Sequence, residues 1–242
     1  GVTIAGFLIL LLAPVLGREG VLDNDIVEGF VLHSPFDEAE TTTSTVTHDS
    51  SGAGVHGTLT NAPVRASSTC RVGNCLRFDG VDDVVDYGNP GALNFGGSPF
   101  SVSAWFNNTA PNGYDIILGK GGFWANDEYQ LYTVSGSVYF YVDTAGTKYF
   151  TSSAVSPNQW YHAVGVYDGQ YIKLYVNGVL DKTISNALTP INSTQPLAFG
   201  REGNYSGGTL NGIIDDVRLW NLVRTDAEIA NNRTVRLAGT ET

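Results

Sequence analysis

Asp79, Asp82, Asp83 and Asp86 fall together in the stretch FDGVDDVVDYG, a dense cluster of carboxylates. Paired carboxylates can act as acid and nucleophile in glycoside hydrolysis. Here they sit beside Gly80 in an Asp-rich turn pattern, and Asp82 and Asp83 read as turn and surface residues. His33, His48, His56 and His162 are scattered without metal-binding spacing, and Cys70 and Cys75 lack zinc-ligand spacing. The sequence has no nucleophile elbow and no phosphate-binding loop. It is therefore read as that of a protein that is not an enzyme.

Binding chemistry is better represented. Gly122-Phe123-Trp124-Ala125-Asn126-Asp127 places two large aromatics at a loop tip, and Tyr114 and Tyr205 stand in Gly/Asn-rich loops. Tyr114, Phe123, Trp124 and Tyr205 can stack on sugar rings, or equally cover an edge or fill a subunit contact. Cys70 and Cys75 enclose Arg-Val-Gly-Asn, a turn able to bring them within bridging distance. A disulfide is expected, with a pair of free thiols as the alternative. A bridge would place the chain outside the reducing cytosol. Sequons at Asn107, Asn192, Asn204 and Asn232 offer glycosylation sites in such a location.

The elements that must position these residues read as short strands. Of 242 residues only 15% are charged, while 11% are aromatic and 29 are Gly, a composition suited to strands and tight turns. Phe30 to Phe36 reads as a first strand. Val102, Ala104 and Phe106 alternate with Ser101, Ser103 and Trp105, and Val138, Phe140 and Val142 alternate with Tyr139 and Tyr141. Trp160 to Tyr167 and Tyr171 to Val176 form a hairpin around Asp168-Gly169-Gln170, and Asn177-Gly178 signals the next turn. Trp160, His162, Val164 and Val166 are expected to line a sandwich core. Ile213, Asp215, Val217 and Leu219 are expected to share one face of the last strand, setting a carboxylate among apolar side chains. Only Thr225 to Asn231 looks helical, with Thr225 as N-cap and Glu228 completing a capping box. Net charge is −11, from 24 acidic and 13 basic residues, which argues against a nucleic-acid partner.

Residues 1–17, GVTIAGFLILLLAPVLG, are uncharged and mostly apolar, shorter than the roughly 20 residues of a spanning helix. The segment resembles the start of a mature archaeal type IV pilin, although the first Glu is Glu19 and Pro14 would kink a helix. That resemblance implies a homopolymer built through residues 1–28, with membrane contact only before assembly. A signal-anchor and a donor strand are the other readings of the segment.

Six phrases resemble the laminin-G-like, concanavalin A-type family, in the family's order. They are FVLHSPFDE (30–38), DSSGAGVHG (49–57), LRFDGVDDVVDYG (76–88), FSVSAWFN (100–107), WYHAVGVYDGQYIKLYVNG (160–178) and GIIDDVRLWNLVRTDAEI (212–229). The resemblance implies an all-β, concanavalin A-like jelly-roll β-sandwich over residues 29–242, and the apolar N-terminal segment, residues 1–28, is expected to precede it as a short helix. It also implies a structural Ca2+, with Asp37, Asp49 and Asp215 as candidate ligands. Glucanases of this type carry closely spaced Glu residues on one strand, and no such pair is found here. Two functions are expected for an extracellular, cell-surface protein. The leading one is a filament subunit with the sandwich displayed outside; the alternative is a surface-anchored module that binds glycans.

Overall fold

The structure is a computed structural model that describes residues 26–39, 44–111, 113–122, 125–144, 148–185, 189–202 and 207–237. The apolar segment expected to polymerise or anchor lies, through residue 25, outside the described residues. Ile26 is buried, and its carbonyl accepts a hydrogen bond from Trp220 Nε1 at 2.7 Å.

The strands follow in chain order. The first six are β1 (Phe30–Ser34), β2 (Val46–Thr47), β3 (Gly57–Thr60), β4 (Val64–Ala66), β5 (Cys75–Asp79) and β6 (Val84–Asp86). Next come β7 (Phe100–Asn108), β8 (Asp115–Gly122), β9 (Ala125–Val134), β10 (Ser137–Asp143) and β11 (Lys148–Ala154). The last are β12 (Trp160–Tyr167), β13 (Tyr171–Val176), β14 (Val179–Ser185), β15 (Leu197–Phe199) and β16 (Asn211–Trp220), before helix α1 (Asp226–Asn232). They form two antiparallel sheets. One has the order β14-β13-β12-β7-β16-β5-β4, with β1 also paired to β16; the other runs β11-β10-β9-β8-β15-β6-β3-β2. This is the expected all-β jelly-roll sandwich.

Strand alternation builds the core between the sheets. Val102, Ala104 and Phe106 of β7 face Val138, Phe140 and Val142 of β10 within one apolar cluster. The sheets approach so closely at Gly165 that any side-chain carbon there would collide with the Phe140 ring. The hairpin turns are as expected: Gly169, Asn177 and Gly178 all take positive φ (94°, 53° and 86°). Helix α1 carries the capping box between Thr225 and Glu228. It lies on the outer face of the first sheet, where Ile229 packs with Val164, Val166 and Tyr175. We call this the helix-bearing sheet and its partner the tyrosine sheet.

Three expectations are corrected. On β12 the sandwich core receives Ala163 and Tyr167, whereas Trp160, His162, Val164 and Val166 point outward beneath Trp105 and the helix. Both faces of that strand are covered, so apolar alternation could not tell them apart. On β16, Asp216 sits at φ 48° in a bulge that shifts the pairing with β7 between Asp215 and Arg218. The bulge sends Ile214, Val217 and Leu219 into the core and leaves Ile213 with Cys75 and Ala66 in a separate cluster. Asp83 is not a surface residue: it is 4% exposed, and its Oδ2 accepts the Asp79 amide at 2.9 Å.

Candidate functional site

The outer face of the tyrosine sheet gathers a set of aromatic and polar side chains that an apolar core would exclude. Register explains how. Tyr139 of β10 lies opposite Tyr132 of β9, and Tyr141 lies opposite Gln130. Tyr132 in turn pairs with Ile116 of β8. Period-two alternation therefore turns Tyr139, Tyr141, Gln130 and Tyr132 outward while their neighbours fill the core. The Tyr132 and Tyr139 rings stack at 5.2 Å with 10° between planes, and Tyr114 adds a tilted ring 4.8 Å from Tyr132. Tyr139 and Tyr114 are half-buried, and Tyr132 and Tyr141 are buried.

Carboxylates frame these rings. The Tyr141 hydroxyl lies 3.2 Å from Asp127 Oδ2 and 3.1 Å from Asp143 Oδ2, so one phenolic proton faces two acids. The Tyr114 hydroxyl is 2.7 Å from Gln130 Oε1 and 3.1 Å from Glu202 Oε1. Burial, reinforced by the adjacent carboxylates, pushes both phenols far above their ordinary range and keeps them protonated donors. Gln130 is 2% exposed, and among the described residues its Nε2 meets no acceptor. A buried donor left unpaired costs free energy unless a ligand supplies the acceptor. Stacking rings and one unused amide donor match what a polyhydroxylated ligand presents: C–H faces and ring or hydroxyl oxygens.

Tyr114 is thus the expected ligand-binding residue that the structure brings to this face. Phe123, Trp124 and Tyr205 lie outside the described residues. Sequence reasoning missed Asp127, Gln130, Tyr132, Tyr139, Tyr141, Asp143 and Glu202. Most of the signal was available: SVYFYVD and EYQLYTV each place polar or aromatic side chains at alternate positions opposite a core-facing series.

Asp37, Asp49 and Asp215 do not converge as a calcium cage. Asp49 Oδ1 accepts from the His33 and Ser51 amides, and Oδ2 from Ser51 Oγ and the Val55 amide, at 2.8–3.0 Å. Asp37 Oδ1 accepts the Asn74 amide and Oδ2 accepts from Arg236. Asp215 Oδ2 accepts both the Arg71 and Val72 amides at 2.7 Å. The oxygens named are occupied by N–H and O–H donors that tie loops together. Only Asp215 Oδ1 among them is buried without a partner. Among the described residues, the three acids whose ligand atoms lie within 4.8 Å of one another are Asp79, Asp82 and Asp83.

The disulfide is formed between Cys70 and Cys75, with their Cα atoms 5.5 Å apart. Of the sequons, Asn192 is exposed, Asn107 is half-buried on β7, and Asn232 is half-buried at the end of α1; Asn204 lies outside the described residues.

Residues 79–230 match the family Laminin_G_3, the concanavalin A-like lectin/glucanases superfamily. The chain belongs to this family. Human pappalysin-1 is 32% identical over 81 residues, which is 31% of this chain and 5% of that protein. Among solved structures, the binding domain of Paraclostridial Mosquitocidal Protein 1 superposes with a TM-score of 0.68 at 16% identity, covering 86% of this chain and 52% of that one. Domain 4 of AbnA, an extracellular arabinanase from Geobacillus stearothermophilus in complex with arabinotriose, gives 0.65 at 18% identity, covering 85% of this chain and 98% of that domain. The laminin-G-like chain thus spans about half of the toxin domain, a small part of pappalysin-1 and nearly all of the arabinanase domain. Among the described residues, no helix is long and apolar enough to cross a membrane.

Proposed function

We propose that this laminin-G-like domain is an extracellular carbohydrate-binding module, with the outer face of the tyrosine sheet as its binding surface. The observation that carries the reading is the unpaired Gln130 amide beside the stacked Tyr132 and Tyr139 rings. A saccharide lying there would accept from Gln130 Nε2, stack on the half-buried Tyr139, and donate hydroxyl protons to the carboxylates. The arabinotriose-bound relative supports an oligosaccharide as the ligand, and the Cys70–Cys75 bridge supports an oxidising, external location. The role is binding without bond cleavage. The filament reading rests on residues 1–28, of which 1–25 lie outside the described residues, and no observation on the described residues favours it over this one.

Titration calorimetry with arabinotriose and with neutral xylo- and cello-oligosaccharides tests the proposal. At least one should bind, without release of reducing ends. Gln130→Ala and Tyr139→Ala should each weaken that binding about tenfold, equivalent to one lost buried hydrogen bond or stacking contact. Absence of binding by folded protein, or affinities within twofold of the parent in both variants, would overturn the assignment. Hydrolysis of the ligand would overturn its non-catalytic character.

A further inference from the structure

The helix-bearing sheet has a cleft of its own, on the opposite side of the molecule from the tyrosine face. Its volume is about 410 Å³. Trp105 of β7 and Trp160 of β12 form its aromatic part, with ring centroids 6.5 Å apart at 77°. Trp105 is buried, while Trp160 is half-buried and presents part of its ring to the cleft. The exposed amide side chains of Asn158, Gln159 and Asn177 line the rim.

Two arginines complete the lining, and the fold holds each in place. Arg71 lies within the loop closed by the Cys70–Cys75 disulfide. That loop is pinned from below by Asp215, which accepts the Arg71 and Val72 amides. The Arg71 guanidinium consequently sits 4.6 Å over the Trp105 ring. Arg233 caps α1, donates from Nη1 to the Ala230 carbonyl, and accepts Trp105 Nε1 on its own carbonyl at 2.6 Å. Among the described residues, no carboxylate lines the cleft and neither arginine makes an ion pair with one. The two guanidinium groups therefore form a local positive site on a chain whose net charge is −11.

We propose that this cleft is a second saccharide site, specific for an anionic sugar chain. The half-buried indole would take a sugar face, the three amides its hydroxyls, and the two preorganised guanidinium groups its acidic substituent through charge-assisted hydrogen bonds. Carboxylate and sulfate ester offer the same chemistry here. The inference does not rest on the tyrosine face, and neither site needs the other. With a net charge of −11 the protein as a whole repels polyanions, so their retention requires a local site such as this one.

Affinity electrophoresis of the full chain through gels containing polygalacturonate, dextran sulfate or neutral dextran tests the proposal. Retardation is expected in one or both anionic gels and should weaken as salt rises. The uronate and sulfate arms identify which substituent is read. Arg71→Gln combined with Arg233→Gln should weaken retention at least about tenfold. Asn177→Asp provides a variant that keeps the acceptor used by the His162 amide and adds a negative charge to the rim, and it should also weaken retention. Gln130→Ala, on the tyrosine face, should leave it unchanged. The proposal is overturned by equal mobility in all gels, by retention within twofold of the parent in both cleft variants, or by loss of retention in Gln130→Ala alone.

Discussion

The outer faces of the two sheets flank one apolar core yet handle buried polarity in opposite ways. Beneath α1, charge is matched by charge. Arg218 Nη2 lies 2.7 Å from Asp216 Oδ2, His33 Nε2 lies 3.0 Å from Asp216 Oδ1, and the remaining guanidinium donors reach the Asn232 and Val235 carbonyls. Arg218 and His33 hold Asp216 below the usual carboxylate range despite its complete burial. On the tyrosine sheet, carboxylates meet phenols, one proton for two acceptors, and a Gln amide is left with an unused donor. A region whose charges are mutually neutralised holds the fold together. A region left with an unused amide donor beside stacked rings is suited to meet something else. The comparison therefore separates substitutions that should damage stability from those that should damage recognition.

The largest effect should come from Arg218→Ala. Removing one partner of a buried pair leaves an uncompensated charge, which costs about 3–5 kcal/mol. Chemical denaturation should show that loss, while oligosaccharide affinity at the tyrosine face, measured well below the new midpoint, should not change. A cost under about 1 kcal/mol would mean that the Asp216 cluster is solvated and the contrast between faces is wrong.

Asp215 should give a smaller effect that depends on pH. Burial raises its pKa from 3.8 to about 8; the Val72 and Arg71 amides oppose the shift, and Asp216 and Asp37 reinforce it. The folded state thus binds this proton more tightly than the unfolded state does. The contribution of this group to stability is fully present below about pH 4 and is lost as pH rises towards 8. Asp215→Asn removes the titration, so the melting temperature of the variant relative to the parent should climb between pH 4 and 8. Parallel melting curves across that range would show that Asp215 stays ionised, with its Oδ1 satisfied by some means other than a proton.

Much of the fold was legible because the sequence marks it locally. Alternation in β7 and β10, the positive-φ turns at Gly169 and Asn177-Gly178, and the Thr225–Glu228 capping box each depend on neighbours a few residues away. The tyrosine face was less legible, although Tyr139 and Tyr141 were visible as an alternating series. What brings Gln130 and Tyr132 beside them is cross-strand register, and register depends on residues distant in sequence. The outward placement of Trp160 and His162 was hidden for a different reason. A strand covered by a core on one side and a helix on the other has no polar face to read. The Asp216 bulge was equally silent, because one residue at positive φ shifts every later side chain without changing composition.

The smallest effect tests how far the helix itself sustains the contrast. Thr225 Oγ1 accepts the Glu228 amide at 3.3 Å, and Glu228 Oε2 accepts the Thr225 amide at 2.6 Å. Thr225→Ala removes half of this reciprocal cap and should cost about 1 kcal/mol. The helix spans only seven residues and would not persist alone in water, so it depends on both its cap and the docking of Ile229. Fraying should begin at the capped end and first uncover Val164 and Val166. Hydrogen exchange should therefore quicken at the α1 and β12 amides while the β9 and β10 amides keep their protection. If exchange quickens equally on both sheets, the two faces belong to one cooperative unit, and their division into a stabilising side and a recognising side fails.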